Sequence, residues 1–192
     1  SPSNSNFIFN EDKCLLGKTD SNSDVYDVLL FASRDIKYIK IPSNIKIISS
    51  YTFNECNKLK KVEIQRNSEL QLIEKFAFAN TNIDHIFIPL HVSKIGESAF
   101  YDCSKLKNIE FAQDSELKLI KNFTFPYSKI TSFYVPRNVQ RIGEFTFSKC
   151  DNLKIIEISE KSELPSIGKF TFGRMHEVLI LIPSDLKNIV NA

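Results

Sequence analysis

Cysteines, carboxylates and lysines recur in this 192-residue chain at an interval that raises the question of shared chemistry. Cys56, Cys103 and Cys150 stand 47 residues apart, and so do Glu63, Glu110 and Glu157. An array of thiols could ligate a metal or form disulfides. A pair of carboxylates could divide acid and base roles. Histidine is sparse: His85, His91 and His176 form no pair with zinc-site spacing, and nothing sets them beside a serine and an aspartate as a triad. The glycines (Gly17, Gly96, Gly143, Gly168, Gly173) make no phosphate-cradling motif. What the recurring groups can do depends on how far apart the fold holds them.

The same 47-residue period runs through the whole sequence. Ile41-Pro42 recurs as Ile88-Pro89, Val135-Pro136 and Ile182-Pro183. Phe53, Phe100 and Phe147 keep step, with Ser68, Ser115 and Ser162, and with Leu70, Leu117 and Leu164. Each unit divides again into short β-like runs at 36–42, 59–65, 83–89, 106–112, 130–136, 153–159 and 177–183. Their starts alternate between 23 and 24 residues apart, and six fit apolar-x-x-apolar-x-apolar, as in Leu59-Lys60-Lys61-Val62-Glu63-Ile64. Glu177 breaks the seventh. This period and pattern predict a leucine-rich repeat solenoid of the α/β class. One curved parallel sheet should line its concave face, with turns or single helical turns on the convex side. Residues 1–35 are expected to cap the first coil with Phe7, Ile8, Phe9, Leu15, Leu16 and Leu29 to Phe31. Residues 36–192 would form about seven repeats, cut short at the C-terminus.

That architecture decides the chemistry. Strands of adjacent coils lie ~4.8 Å apart, so positions two coils apart are separated by ~10 Å. A disulfide needs Cα atoms within roughly 7 Å. The three cysteines are therefore expected to be packed free thiols, with Cys14 undetermined, and the three glutamates solvated side chains. Ten phenylalanines (Phe53, Phe76, Phe78, Phe100, Phe123, Phe125, Phe145, Phe147, Phe170, Phe172) fall in the convex segments, where stacking predicts a buried aromatic spine. The sequon Asn122-Phe123-Thr124 is expected to stay unused because its Phe belongs to that spine. Gly96, Gly143 and Gly168 sit in turn-forming segments, where a positive φ would explain them.

Alternation along a strand sends every second residue to the concave face. The central column there reads Lys40, Glu63, Phe87, Glu110, Tyr134, Glu157, Leu181. Its neighbour reads Tyr38, Lys61, His85, Asn108, Ser132, Ile155, Leu179. Candidate ligand-binding residues are Tyr38, Lys40, Lys61, Glu63, His85, Phe87, Asn108, Glu110, Ser132, Tyr134 and Glu157. Aromatics at the centre of such a sheet resemble interface anchors; cross-strand packing rewards them equally without a partner. Lys37, Lys60, Lys107 and Lys154, with Lys58 and Lys105 nearby, form a charged strip ahead of the strands. It is either a solvated edge or a means of steering an acidic partner or glycan.

The recurring I-P-x-x-V-x-x-I-G-x-x-x-F-x-x-C-x-x-L resembles the BspA-like leucine-rich repeats, and residues 91–103 are the clearest copy. Residues 26–36 resemble the segment preceding the repeats in trichomonad members. The resemblance runs from about Tyr26 to Pro183. It implies a surface-exposed, non-catalytic protein used in adhesion to host proteins, host cells or other microbes, with no catalytic residues to carry over.

The bulk numbers are ordinary for a soluble globular chain, and with no catalytic constellation in the repeats no enzyme is expected. A hydrophobic share of 42% suits a soluble domain, and a net charge of +2 gives no reason to expect nucleic acid. Residues 1–35 hold a net −3, leaving +5 for the rest. No apolar stretch approaches the roughly 18 residues of a spanning helix, and the start does not read as a signal peptide. No metal or cofactor is expected. The expected partner is a protein or glycan on a host or microbial surface, bound at the concave sheet of a cell-surface or extracellular module. The alternative is a structural spacer for a binding element in missing sequence. Because the repeats still run at Pro183, the chain reads as a fragment whose last coil, with Leu179 and Leu181 at its edge, is expected to self-associate weakly or to fray.

Overall fold

A computed structural model describes residues 6–168, 170–173 and 178–184. The chain opens with β1 (Phe7–Phe9) and β2 (Cys14–Gly17), an antiparallel hairpin, and β2 runs antiparallel to β3 (Val28–Ala32) with a register slip between Leu15 and Leu16. Front and flank strands then alternate: β4 (Tyr38–Lys40), β5 (Ile47–Ile48), β6 (Lys61–Glu63), β7 (Leu72–Ile73), β8 (His85–Ile88), β9 (Lys94–Ile95), β10 (Asn108–Phe111) and β11 (Leu119–Ile120). They continue as β12 (Ser132–Val135), β13 (Arg141–Ile142), β14 (Ile155–Ile158) and β15 (Leu179–Leu181). The even-numbered strands from β4 to β14, with β15, occupy the front; the odd-numbered strands from β5 to β13 occupy the flank.

All seven front strands fall within the runs read from the sequence, but they do not make one ladder. They pair as β4–β6, β8–β10 and β12–β14–β15, all parallel. The two interruptions precede β8 and β12. There the corner is one residue shorter, seven residues from Phe76 to Ile83 against eight from Tyr51 to Leu59. Single bonds bridge these steps just ahead of the strands, Asn82 N–H to the Leu59 carbonyl at 3.0 Å and Lys129 N–H to that of Leu106 at 2.8 Å.

The continuous sheet is on the flank, in the order β1-β2-β3-β5-β7-β9-β11-β13. Its parallel strands are only two residues long because each coil offers one inward residue there, such as Ile48, Ile73, Ile95 or Ile120, all buried. The N-terminal segment joins this sheet rather than the front one. Asp27 ties it to the next coil by accepting from the Thr19 amide and hydroxyl and from Lys46. Burial alone would raise the Asp27 pKa, but these donors outweigh it and hold the carboxyl below its usual range. Leu16 and Leu29 are buried as expected, whereas Phe7, Ile8, Phe9 and Phe31 are exposed.

The helical part of the expected α/β class is corrected: among the described residues no α-helix occurs. In the third side of each coil, backbone groups bond to the next coil instead of four residues back. Phe53 N–H donates to Ala77 O, Phe76 to Glu97 O, Phe78 to Ala99 O, and Phe100 to Thr124 O, at 2.8–3.0 Å. Residues at left-handed φ make this geometry possible in two stacked columns. Tyr51, Phe76, Ser98, Phe123 and Phe145 form one; Glu55, Asn80, Asp102, Tyr127 and Lys149 form the other, four residues further on.

The phenylalanines accordingly divide. Phe53, Phe78, Phe100, Phe125 and Phe147 are fully buried, stacked with centroids 4.9–6.0 Å apart, and Phe172 extends the stack. Phe76, Phe123, Phe145 and Phe170, with Tyr51, make an outer column that reaches solvent, and Phe123 is 37% exposed. Phe123 is thus not part of the buried spine. In the sequon it is Thr124 that is buried, its hydroxyl donating to the Lys121 carbonyl.

Cys56, Cys103 and Cys150 are buried free thiols. Between them the same column holds hydroxyls, with Thr81 Oγ1 3.3 Å from Cys103 Sγ and Ser128 Oγ 3.2 Å from Cys150 Sγ. Cys14 is buried too. Ser68, Ser115 and Ser162 recur because each Oγ accepts the amide of the Leu two residues on, closing the corner.

Gly96 and Gly143 do not adopt positive φ, and neither does Gly168. The first two lie where neighbouring coils touch: a Cβ on Gly96 would sit 2.5 Å from the Glu74 carbonyl carbon, and one on Gly143 2.4 Å from Asn122 N. Gly168 has room, its Cβ meeting only Thr171 Oγ1 at 3.4 Å.

Candidate functional site

The front registers reproduce both columns read from the sequence. Tyr38 faces Lys61 and Lys40 faces Glu63; Asn108 faces His85 and Glu110 faces Phe87; Ser132 faces Ile155 and Tyr134 faces Glu157. On β15, Leu179 and Leu181 continue them opposite Ile155 and Glu157. Met175, His176 and Glu177 lie outside the described residues.

The two ends of this face differ in kind. On β4 and β6 the polar side chains satisfy one another. Tyr38 donates its hydroxyl to Glu63 Oε2 at 2.8 Å, Lys40 Nζ stands 3.6 Å from Glu63 Oε1, and Lys61 Nζ lies 5.6 Å from the Tyr38 ring centroid. The Tyr38 hydroxyl, helped by the two lysines, holds the Glu63 carboxyl below its ordinary range, and the same bond raises the Tyr38 pKa.

Phe87 is not an exposed anchor. It retains only 8% exposure. The Arg66 guanidinium, arriving from the corner after β6, lies 5.2 Å from its ring centroid and donates to Glu110 at 3.1 Å. Glu63 and Glu110 are therefore engaged rather than freely solvated. Arg66 follows the strand and belongs to neither column, so the strand pattern does not single it out.

Towards β15 the face is open and apolar. Tyr134 is 43% exposed, and Ile155, Leu179 and Leu181 are exposed beside it. Glu157 lies exposed among them with no ion pair among the described residues. Ile155, Leu179 and Leu181 were in the columns but not among the candidate residues, because their pattern is that of strand residues and only exposure distinguishes them. His85, Asn108 and Ser132 are exposed between the two ends. His91 is elsewhere, beside Glu116 at 3.2 Å. Among the described residues no group of three or more His, Cys, Asp and Glu side chains could hold a metal ion, and no helix is long and apolar enough to cross a membrane.

A parallel β-solenoid of 23- and 24-residue coils, with a two-column front face, is a leucine-rich repeat array. The profile of the BspA-type leucine-rich repeat region matches residues 27–125 and 118–192 in six copies, and the chain belongs to that family. A sequence comparison with curated proteins finds no match. Among solved structures, the pneumococcal vaccine antigen PcpA is similar over 82% of this chain and 51% of its own, at 19% identity and a TM-score of 0.62. A leucine-rich cell-surface protein of Faecalibacterium prausnitzii A2-165 is similar over 81% of this chain and 62% of its own, at 18% identity and a TM-score of 0.44. The T. pallidum leucine-rich repeat protein TpLRR gives 98% and 92% coverage, 15% identity and a TM-score of 0.47. The chain thus spans about half the length of the pneumococcal structure.

Proposed function

We propose that this chain is a non-catalytic recognition module of a cell-surface protein, and that it adheres to a host or microbial surface ligand through its front sheet. The observation that carries this reading is the contiguous exposed patch of Tyr134, Ile155, Leu179 and Leu181 around Glu157, which has no ion pair among the described residues. An aromatic anchor flanked by aliphatic side chains is the usual energetic centre of an interface. A carboxylate exposed at the centre of such a patch adds a preference for a ligand bearing a positive charge. Membership of the BspA-type family supports surface placement.

The test is a binding screen of the chain against extracellular-matrix proteins and surface glycans, repeated with Tyr134→Ala and with Ile155→Ser. Loss of binding in both variants, with unchanged melting, supports recognition at the front face. Binding unaffected by either variant would exclude this patch. No binding by this chain, with binding by a longer chain that contains it, would favour the spacer reading. Phe87→Ala belongs in the screen as a stability control, since Phe87 is buried.

A further inference from the structure

The edge by which the chain enters the front strands has a character of its own. Two adjoining grooves run along it, of about 510 Å³ and about 350 Å³, and both are lined by Lys105 and Lys107. Lys129 completes the larger and Lys60 the smaller. From these observations we propose that this edge binds a linear sulfated polysaccharide, a ligand distinct from that of the front-sheet patch.

Charge supports it first. The chain as a whole is nearly balanced at +2, yet among the described residues four lysines converge here against one lining carboxylate, Asp84. Some cations elsewhere are paired, Lys13 with Asp35, Lys40 with Glu63, Lys46 with Asp27 and Arg66 with Glu110; what sets this edge apart is that four without a pair line two adjoining grooves. None of the four groove lysines has an acidic partner among the described residues, and all four are exposed. Unpaired like charges held together repel one another, a cost that a bound polyanion removes.

Geometry supports a linear ligand. Lys60 precedes β6, Lys107 precedes β10 and Lys154 precedes β14, each two coils from the next, so ammonium groups repeat every ~10 Å along the solenoid axis. A polymer carrying anions at regular intervals can meet several rungs at once, each bond raising the effective concentration for the next.

The remaining lining chooses among polyanions. Between the lysines lie Ser104, Thr131 and Asn152, which can give and accept hydrogen bonds from sugar hydroxyls. Among the described residues no aromatic side chain lines either groove, so these walls offer no stacking platform of the kind that single-stranded nucleic acids use. No arginine among the described residues lines them either, although its planar fork is the preferred reader of phosphate diesters.

The experiment measures heparin binding by calorimetry over a range of salt concentrations. The wild-type chain is compared with Lys105→Gln/Lys107→Gln/Lys129→Gln and with Lys94→Gln/Lys118→Gln/Lys121→Gln, which removes the same charge outside the edge. Circular dichroism and melting establish that both triples fold. The edge triple should lose about tenfold or more in affinity, and the slope of log affinity against log salt should flatten by about 2 to 3. The control triple should stay within about twofold of wild type. Equal weakening by the two triples would overturn the proposal, because bulk charge would then suffice. So would absence of heparin binding, equal affinity for desulfated heparin, or displacement of heparin by a single-stranded oligonucleotide of matched charge. Tyr134→Ala should bind heparin as wild type does; if it fails to, the edge is not a separate site.

Discussion

Arg66 roofs Phe87: its guanidinium lies 5.2 Å from the ring centroid while one nitrogen donates to Glu110 at 3.1 Å. The ring is turned from a surface anchor into a covered side chain by a residue 21 positions earlier in the sequence. Each half of the clamp is modest, since cation–π contacts at exposed sites and surface ion pairs each contribute about 1 kcal/mol or less. Arg66→Ala should therefore lower unfolding stability by about 1 kcal/mol. The same change should raise binding of a hydrophobic dye by exposing Phe87. A double-mutant cycle with Phe87→Leu isolates the coupling, and additive effects would show that the contact contributes nothing.

The two aromatic columns should respond unequally to truncation. Phe100 is fully buried between Phe78 and Phe125, so Phe100→Ala empties a site that cannot collapse and should cost ~3–5 kcal/mol. Phe123→Ala removes a ring that still reaches water and should cost about 1 kcal/mol or less. Denaturant unfolding of the two variants checks the contrast, and equal losses would contradict the division into inner and outer columns.

Gly96 and Gly168 occupy the same repeat position in different surroundings. Gly96→Ala would drive a Cβ to 2.6 Å from Lys75 N as well as into the Glu74 carbonyl, backbone that cannot swing away. A loss of about 2–3 kcal/mol is expected for it. Gly168→Ala should be near neutral. Gly96→Asn is the informative third variant. Asparagine tolerates left-handed backbone, so it would rescue a position that needed positive φ, but it should fail here as alanine does. Melting temperatures of the three decide.

These glycines mark the limit of what the repeat pattern encodes. Repeat length, the seven front runs and both front columns were legible, because a period of two within a period of 23 or 24 leaves each side chain only one face. Gly96 was recognised as special, but the sequence could not separate a conformational need from a close approach. The flank sheet escaped notice because a two-residue strand such as Leu72–Ile73 carries no alternation. Helical turns were anticipated on the third side, where stacked turns occur, because bonds such as Phe53 N–H to Ala77 O depend on the neighbouring coil. On the front face the columns gave positions but not coverage: Phe87 and Tyr134 occupy equivalent positions, and a side chain from outside both columns covers one and leaves the other open.

The buried thiols make stability depend on pH in the alkaline range. Burial, the largest cause, pushes Cys103 up from 9.0 to about 12, and Cys150 up to about 11, against the opposing effect of the Thr81 and Ser128 hydroxyls. In the folded chain these thiols stay protonated where an unfolded chain would ionise them. Below pH 9 both states hold the proton, so the full stabilisation is present and stability is flat with respect to these groups. Between pH 9 and about 12 the unfolded state releases protons that the native state retains, so stability must fall as pH rises. The slope is about 1.4 kcal/mol per pH unit for each thiol involved. Cys103→Ala should flatten this alkaline limb in urea titrations at successive pH values, while leaving the region below pH 9 parallel to wild type. At pH 8 a thiol reagent should label Cys103 and Cys150 only as fast as the chain opens. Reducing agent should leave the melting temperature unchanged. Rapid labelling of the native chain, or a melting temperature that drops on reduction, would contradict buried free thiols held by the Phe78 and Phe125 carbonyls.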